Sequence, residues 1–392
     1  MKTLNSSILA IHPSATLAIA ALAKQLVAQG RPVCDFAAGE PDFDTPTCIK
    51  EAAITALREG KTKYTPVAGV PKLCEAIAAK LKRDNGLVYK PSQIIVSCGA
   101  KHSLALVFQT LLNPGDEVII PAPYWLSYPE MIRVAGGTPV FVPTTPASDF
   151  KVTPAAIEQA ATSRAVALVI NSPCNPTGTM YTPDELRAIG ETAVRLGLTI
   201  VSDEIYEKMV YDGNQHASMA SFSPELYANT ITVNGMSKAY SMTGWRLGYT
   251  AAPEPFIKAM GALQSHTASA PNTFAQWGAI AALEQGEDSI REMVVAFDAR
   301  RRRIYELMDA IPGVICPRPT GAFYVFPDIS AFGLDSVTFA RRLLEEHNVA
   351  VVPGVAFGAD GCVRLSYACT MDVIETGLSR FSAFCASLKR QG

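Results

Sequence analysis

Apolar and polar positions follow two kinds of spacing along this chain, and the two kinds alternate. Apolar residues three or four apart predict amphipathic helices over about 14–29, 46–59, 73–85, 99–112, 128–135 and 183–196. Short apolar runs predict strands at 33–37, 94–97, 138–142, 165–170, 198–202, 231–233 and 247–251, with one more buried strand inside 113–125. This order predicts an α/β fold, in which a mainly parallel sheet is covered by helices on both faces.

Beyond residue 285 the pattern changes to that of an α+β unit. A long charged helix is predicted over about 290–311, and its basic run, Arg300 to Arg303, is interpreted as a solvated face. A hairpin-like segment (321–329), a helix (337–347), strands at 349–352 and 362–368 and a last helix follow. Since 392 residues exceed the size of a single growing core, we expect a large domain over 46–288. The small domain would combine 1–45 with 289–392.

Charge and cysteine usage exclude several classes of protein. The 34 basic and 36 acidic residues nearly cancel, so nothing indicates a nucleic acid or a membrane surface as partner. Nine irregularly placed cysteines suit a reduced compartment, and the five scattered histidines have no metal-ligand spacing. The N-terminus is a poor secretory signal and no segment is long enough to span a bilayer. We therefore expect a cytoplasmic protein without a metal.

The stretch from Thr230 to Ala252 contains two charged residues, Lys238 and Arg246, among glycines, hydroxyls and apolar side chains. Charged side chains usually lie together on solvated faces, so we expect these two to be held out of bulk water. A desolvated lysine has a lowered pKa and is more often the free amine that a nucleophile requires. Lys238 is therefore a candidate nucleophile.

Other candidates follow the predicted carboxyl ends of strands, where open α/β sheets bind ligands. Gly99, Ala100 and Lys101 begin a helix directly after a strand. Free backbone N–H groups at such a helix start form a seat for a phosphate, although an ordinary strand-to-helix junction has the same pattern. Arg246 suits the same phosphate through its paired donors, with a structural salt bridge as the alternative.

Several side chains in the same positions suit a flat heteroaromatic ring. Asp203 is either a cap at a strand end or the partner of a protonated ring nitrogen. Tyr206 and Asn175 are candidate donors to a ring oxygen, and Trp125 suits stacking, although tryptophan is more often core. Arg364, the single charge in CVRLSYA, suits a substrate carboxylate or a structural ion pair. With the candidate lysine and the phosphate seat, these groups meet the requirements of pyridoxal phosphate bound to a lysine.

Ten motifs in a fixed order carry a family resemblance. They are PSATLAI, AGEPDFDTP, KYTPVAGVPKL, GAKHSL, PYWLSYPEM, NSPCNPTG, VSDEIYE, VNGMSKAYSMTGWRLGY, GAFYVF and VRLSYA. In these motifs, which span nearly the whole chain, the sequence resembles the class I and II aminotransferases of PLP fold type I. Within that family it resembles the bacterial aspartate aminotransferase subgroup Iβ. The resemblance implies pyridoxal 5′-phosphate as cofactor.

The resemblance also implies a role for each cofactor-binding candidate. Lys238 would form the Schiff base, and Asp203 would pair with the pyridine nitrogen. Tyr64 would reach the phosphate of the neighbouring subunit, which implies a homodimer with shared active sites. The residues implied to bind the cofactor are Tyr64, Gly99, Ala100, Lys101, Trp125, Asn175, Asp203, Tyr206, Lys238 and Arg246.

The implied reaction is ping-pong transamination with Lys238, Asp203 and Tyr206 as catalytic residues. Lys238, once displaced by the substrate amine, would move the proton from Cα to the cofactor's C4′ as general base and acid. Asp203 would keep the ring protonated, so that negative charge spreads into it. The residues implied to bind the substrate are Ser14, Thr16, Gly39, Lys101, Trp125, Asn175 and Arg364.

The substrate's distal end depends on Lys101 and the PSAT segment. Better-known aspartate aminotransferases use an arginine of the partner subunit, but residues 261–277 contain no arginine or lysine. In the Iβ subgroup that role falls to Lys101 with Ser14 and Thr16. A helix dipole disfavours a lysine in the first turn, which favours a functional reason for Lys101. We therefore expect L-aspartate and 2-oxoglutarate as substrates. An aromatic or a glutamate/aspartate–prephenate aminotransferase is the alternative, and a carbon–sulfur lyase is a weaker one.

Two positions depart from the family pattern. Gly235 stands where many relatives have a phosphate-binding serine, so that contact is lost or replaced by Ser237 or backbone. Cys174 replaces an asparagine often found in NPxNPTG, with little consequence expected.

A different class of protein, a non-catalytic relative fused to a DNA-binding region, would need a preceding helix-turn-helix. Since the family match begins by Pro13, we expect none.

Overall fold

The structure, a computed structural model, describes residues 6–9, 11 and 15–389 as a series of alternating strands and helices. The strands are β1 (Cys34–Asp35), β2 (Ile94–Ser97), β3 (Glu117–Ala122), β4 (Thr138–Pro143), β5 (Ala165–Asn171), β6 (Thr199–Asp203), β7 (Thr230–Gly235), β8 (Gly248–Ala251), β9 (Tyr324–Val325), β10 (Val349–Ala350), β11 (Val352–Pro353) and β12 (Val363–Ser366). The α-helices are α1 (Ser6–Leu9), α2 (Ala15–Ala28), α3 (Thr47–Arg58), α4 (Pro71–Asn85), α5 (Ala100–Leu111), α6 (Ser127–Val134), α7 (Pro154–Ala160), α8 (Pro183–Arg195), α9 (Pro224–Asn229), α10 (Glu254–Thr267), α11 (Thr273–Gln285), α12 (Glu287–Asp309), α13 (Ser336–His347) and α14 (Met371–Lys389).

A seven-stranded sheet has the order β2-β8-β7-β6-β5-β3-β4. The strands from β7 to β4 in this order are parallel to their neighbours, and β8 is antiparallel to both β2 and β7. Asn171 at the end of β5 lies in register with Asp203 at the end of β6. The predicted mainly parallel sheet is confirmed, and its carboxyl edge brings the ends of β5 and β6 together.

Alternate side chains of these strands pack against helices on opposite faces. On β2, Ile95 shares a cluster with Leu104 of α5, whereas Ile94 packs with Leu73 of α4 and Ala279 of α11. Strands buried on both faces are nearly continuous apolar runs, which explains why the sequence pattern identified them. No helix in the described part of the chain combines the length and the apolar character that crossing a membrane requires.

The remaining strands form two small sheets of an α+β unit. β9, β12 and β11 make a three-stranded antiparallel sheet, and β1 pairs in parallel with β10. A cluster of aromatic side chains, which includes Phe297, Phe323, Phe339 and Phe381, fills the space between these sheets and α12, α13 and α14. The predicted α+β character is confirmed, while the boundaries 46–288 and 1–45 with 289–392 stay predictions.

Two predicted elements of this unit have a different form. No hairpin forms within 321–329 in the described chain, since β9 pairs with β12 instead. The strand predicted over 349–352 is divided, because β10 and β11 pair with strands of two different sheets. Both differences arise from partners that are distant in sequence, which local patterns do not reveal.

The basic run on α12 is only partly a solvated face. The Arg302 side chain is 64% exposed, but the prediction is wrong for Arg300 and Arg301, whose side chains are 14% and 1% exposed. Arg301 is 1% exposed and donates to Asp212 at 2.7 and 2.8 Å and to Asp298 at 2.8 Å. Arg300 forms a paired contact with Asp42 at 2.7 and 2.9 Å. Asp298 is only three positions from Arg301, but Asp212 and Asp42 lie 89 and 258 positions from their arginines. The local sequence therefore does not show these two partners.

Candidate active site

A cavity of about 480 Å³ lies at the carboxyl edge of the seven-stranded sheet. Its walls come from the segments that follow β2, β3, β5, β6 and β7, and Tyr324 and Arg364 close it from the small antiparallel sheet. The predicted site residues that line it are Gly39, Ala100, Lys101, Trp125, Asn175, Asp203, Tyr206, Lys238, Arg246 and Arg364. The structure thus brings these residues together in one cavity, and the roles that the resemblance implies for them stay predictions.

The structure describes the side-chain surroundings of two of the other four predicted residues, Gly99 and Tyr64, and neither lines the cavity. Gly99 lies next to it, since a Cβ there would be 2.6 Å from Nη2 of Arg246. Tyr64 is 97% exposed. Thr16 belongs to α2, but its side chain is not among those that the structure describes, and Ser14 lies outside the described residues.

Lys238 follows β7 and extends into the cavity. Its Nζ donates a 2.5 Å hydrogen bond to the carbonyl oxygen of Gly39. Burial lowers the pKa of Lys238 to about 8; the negative charge of Glu40 opposes this shift, and the positive charges of Arg364 and Arg246 add to it. The amine is therefore more often unprotonated near neutral pH than that of an ordinary lysine, and the unprotonated form is the one that a nucleophile requires.

Asp203 ends β6 beneath the same cavity. Its Oδ2 accepts a 2.6 Å hydrogen bond from the Tyr128 hydroxyl, and its Oδ1 accepts one of 3.3 Å from the Ile205 amide. Burial raises the pKa of Asp203 to about 6, and the hydrogen bond from Tyr128 acts against this increase. Asn171 donates to the Asp203 carbonyl at 2.9 Å and accepts from the Asn175 amide at 2.9 Å, so it joins the loops after β5 and β6.

Arg364 is a buried cation whose hydrogen bonds go to neutral groups. Its Nη2 donates to the Ala37 carbonyl at 2.8 Å and its Nη1 to Oδ1 of Asn175 at 3.1 Å. Its Nε has no hydrogen-bond partner in the described part of the chain, although the residue is 2% exposed. Because a buried donor without a partner is costly, this guanidinium is suited to receive a carboxylate from the cavity.

The start of α5 and the Arg246 guanidinium form a cradle for an anion. Gly99 has a φ of 87°, a conformation that residues with a side chain rarely adopt, and a Cβ there would displace the guanidinium of Arg246, whose Nη2 would be 2.6 Å away. A Cβ at Gly248 would lie 2.2 Å from the Ala100 nitrogen, so glycine is required where β8 passes the helix start.

Arg246 donates to the Thr243 carbonyl at 2.8 Å. The prediction that Arg246 is held out of bulk water is wrong, because its side chain is exposed at the cavity.

The backbone explains why glycine stands at position 235. A Cβ there would lie 2.9 Å from the Leu247 carbonyl oxygen and 3.0 Å from the Cα of Gly248, so a serine does not fit without a shift of β8. Ser237 lines the cavity instead. Replacement of the family's serine by Ser237 or by backbone stays a prediction.

Lys101 lies in the first turn of α5, beside Trp125. Its ammonium is 5.1 Å from the centre of the indole ring, within the range of a cation–π contact. Burial lowers the pKa of Lys101, and the positive charge of Arg246 lowers it further. Trp125 also meets Tyr128 edge to face, with ring centres 5.2 Å apart.

Among the cavity residues that the sequence did not indicate, Tyr128, Asn171 and Tyr324 have polar groups that contact predicted site residues. Tyr128 stands three residues after Trp125, a spacing that places both on one side of a helical turn and that could have indicated it. Asn171 precedes Asn175 by four residues in the same loop. Tyr324 lies inside the apolar run GAFYVF, which gives no local signal that its hydroxyl faces a cavity.

Comparison with known proteins places the chain in a family. The model of the family "Aminotransferase class I and II" matches residues 31–381. The aspartate aminotransferase of Geobacillus stearothermophilus is 51% identical over 379 residues, which cover 95% of this chain and 96% of that protein. A probable aspartate/prephenate aminotransferase of Aquifex aeolicus is 50% identical over 384 residues, covering 97% and 98%. The solved aspartate aminotransferase of Thermus thermophilus with maleate superimposes with a TM-score of 0.94 at 45% identity, covering 98% of this chain and 100% of that one. The resemblance found in the sequence is confirmed, and the chain belongs to the class I and II aminotransferases.

Proposed function

We propose that this chain is an aspartate aminotransferase that uses pyridoxal 5′-phosphate and transfers the amino group of L-aspartate to 2-oxoglutarate. The observation that carries the proposal is one cavity lined by the amine of Lys238 together with Arg364 of β12 and Lys101 of α5. A dicarboxylic amino acid presents two anionic groups on either side of its reacting carbon, and this arrangement matches them. Relatives at 50–51% identity bear the names aspartate and aspartate/prephenate aminotransferase.

The described residues fit the cofactor. The cradle of Gly99, Ala100 and Arg246 provides backbone and guanidinium donors for a phosphate, and a side chain at Gly99 would fill it. The buried Asp203 supplies a carboxylate for the ring nitrogen, and the amine of Lys238 is available for covalent attachment. When bound, the cofactor supplies an electron-withdrawing ring that stabilises negative charge at the substrate's Cα.

The chain's own groups would divide the remaining work. Lys238 would take the proton from the substrate's Cα, for which its lowered pKa is suited. Asn175 and Tyr206 would donate to the cofactor's ring oxygen, and Trp125 would cover the ring face. Arg364, whose Nε is unpartnered among the described residues, would fix the substrate's α-carboxylate beside Gly39.

At the distal end of the substrate, Lys101 is the cation proposed to bind the second carboxylate. Its ammonium is held over Trp125, which places it beside the expected ring site, and the residue is exposed at the cavity. Ser14 and Thr16, from the segment at the start of α2, are proposed to assist it. The solved Thermus thermophilus relative contains maleate. Like aspartate, maleate has two carboxylates joined through two carbon atoms.

A homodimer with shared active sites is part of the proposal. Tyr64, at 97% exposure, is an aromatic side chain that a single chain leaves in water, and such residues are frequent at interfaces. Tyr64 is proposed to reach the phosphate cradle of the partner subunit. In mixed dimers, Tyr64→Ala and Lys238→Ala chains should complement each other, because one of the two sites then has both intact residues. A mixture no more active than its two components would contradict shared sites.

Aspartate/prephenate transamination is the second candidate, supported by the name of the Aquifex aeolicus relative. Prephenate also has a second carboxylate, so Lys101 suits it equally. Aromatic amino acids are the third set to be tested, since Trp125 and Leu104 give the cavity an apolar part.

A donor and acceptor screen of the purified holoenzyme tests the proposal. With 2-oxoglutarate as acceptor, aspartate should react faster than tyrosine, phenylalanine, alanine and kynurenine. Prephenate should then be supplied as acceptor with aspartate or glutamate as donor. A yellow protein that is inert with every pair would contradict transamination of these substrates, and the Lys238→Ala variant measures the background.

A further inference from the structure

Tyr324, which no sequence pattern indicated, touches the proposed ring-oxygen donor Tyr206. The two hydroxyl oxygens are 2.9 Å apart and share a hydrogen bond, and the two rings meet edge to face with centres 5.8 Å apart. Both side chains are buried, and both line the cavity. The contact joins the large sheet's edge, which carries Tyr206, to β9 of the small antiparallel sheet.

The ring of Tyr324 is held on several sides, so that its hydroxyl has a fixed direction. Backbone pairing places Tyr324 opposite Ser366 of β12. The guanidinium of Arg364 lies 4.7 Å from the centre of the Tyr324 ring. On the third side, a Cβ at Gly39 would lie 3.1 Å from the Tyr324 hydroxyl oxygen, so the loop approaches closely.

Two phenols that share one hydrogen bond must divide the roles of donor and acceptor. If Tyr206 donates its proton to the cofactor's ring oxygen, its own oxygen is left to accept, and Tyr324 must be the donor. A hydroxyl that accepts a hydrogen bond becomes a stronger donor in turn, because the two bonds polarise each other. We propose that Tyr324 is a positioning residue, which donates to Tyr206 and thereby directs and strengthens the hydrogen bond from Tyr206 to the bound cofactor. The inference rests on the proposed function, since it needs the cofactor at Tyr206.

The visible absorption of the bound cofactor, recorded against pH, reports this hydrogen bond directly. When the nitrogen of Lys238 is linked to the cofactor, the proton on that nitrogen would be shared with the ring oxygen. A donor from Tyr206 competes for the same oxygen and favours loss of that proton. The Tyr206→Phe variant should therefore raise the pH midpoint of the absorption change. The Tyr324→Phe variant should raise it in the same direction by a smaller amount, about 0.5 pH unit.

A double variant distinguishes action through Tyr206 from a general loss of packing. If Tyr324 acts through Tyr206, adding Tyr324→Phe to Tyr206→Phe should leave the midpoint where Tyr206→Phe alone places it. Tyr367→Phe is the matched control. It removes a buried phenol hydroxyl that donates to the Ala322 carbonyl at 3.1 Å, two residues before Tyr324, and should not move the midpoint.

The outcomes separate this inference from the proposed function. A wild-type protein without a visible cofactor band at any pH would refute the proposed function itself. A wild-type band with a midpoint that shifts in Tyr206→Phe but not in Tyr324→Phe would overturn the inference alone. Additive shifts in the double variant, or an equal shift in Tyr367→Phe, would also overturn it.

Discussion

The Tyr128 hydroxyl lies 2.6 Å from Oδ2 of Asp203 and donates a hydrogen bond to it. Both residues are nearly inaccessible, at 1% and 3% exposure. Burial disfavours the ionised carboxylate and the Tyr128 hydrogen bond favours it, and the pKa of Asp203 is raised to about 6 as the net result. The Tyr128 hydroxyl therefore helps to keep a negative charge opposite the proposed ring nitrogen.

Replacing Tyr128 by phenylalanine should raise the pKa of Asp203 further, because the ionised form loses a donor. Activity that depends on ionised Asp203 is lost as pH falls through that pKa, so the acidic limb of kcat/KM should move to higher pH. A hydrogen bond to a charged group is worth about 1.5–3 kcal/mol, which corresponds to roughly one pH unit or more. A pH profile of kcat/KM between 5 and 9 measures the shift. Tyr211→Phe, which removes a buried hydroxyl bound to the Ala322 carbonyl, should leave the limb in place. An unmoved limb in Tyr128→Phe would refute the assignment.

Lys101→Ala should weaken the binding of aspartate far more than that of an uncharged amino acid. Loss of one charge-assisted contact predicts a rise of about tenfold or more in KM for aspartate. The KM for alanine should change little, since alanine has no distal carboxylate. Lys101→Arg retains the positive charge and should recover part of the affinity. Equal effects of Lys101→Ala on both substrates would exclude Lys101 as the reader of the distal group.

Lys238 should limit the stability of the cofactor-free protein below about pH 8. Its folded pKa, about 8, is lower than the ordinary value of 10.5, so the folded state binds this proton less tightly than the unfolded chain. The associated stability is fully present above pH 10.5 and is lost as pH falls through 8. Lys238→Met should therefore raise the free energy of unfolding by about 2 kcal/mol at pH 7 and by little at pH 10.5. Denaturation at both pH values, with the exposed Lys258→Met as control, provides the measurement. A gain independent of pH would contradict the lowered pKa.

Arg301 and Arg302 are neighbours on α12 that should differ sharply in their effect on stability. Removing the buried Arg301 leaves Asp298 and Asp212 without their shared partner, which predicts a loss of about 3 kcal/mol in Arg301→Leu. The Arg302 side chain is 64% exposed, so Arg302→Leu should change the free energy of unfolding by about 0.5 kcal/mol or less. Chemical denaturation of the two variants compares them directly. Similar losses of unfolding free energy in the two variants would contradict a special contribution of the buried Arg301 contacts to stability.

The local pattern of residues was sufficient to predict those strands and helices that depend only on residues close together in the sequence. The apolar run of β2 and the helix start at Gly99 were both visible, because strand burial and the glycine at a helix cap are local requirements. Arg301 was misjudged, since its carboxylates include Asp212, 89 positions away. Tyr324 gave no signal because its hydrogen-bond partner Tyr206 is 118 positions away. The strand ends in the sequence indicated where a cavity would lie. They did not indicate which buried hydroxyls, such as that of Tyr128, form hydrogen bonds to the charged groups in it.

The parallel pairing of β1 with β10 has a consequence for the order in which the chain assembles during synthesis. Cys34 pairs with Val349, so the first strand emerges from the ribosome more than three hundred residues before its partner. The seven-stranded sheet uses residues 94 to 251 and can assemble in the interval. Gly39 and Arg364 are then brought to the cavity among the last contacts to form. Nascent chains should therefore acquire the large sheet first and a complete substrate pocket only when translation is nearly finished.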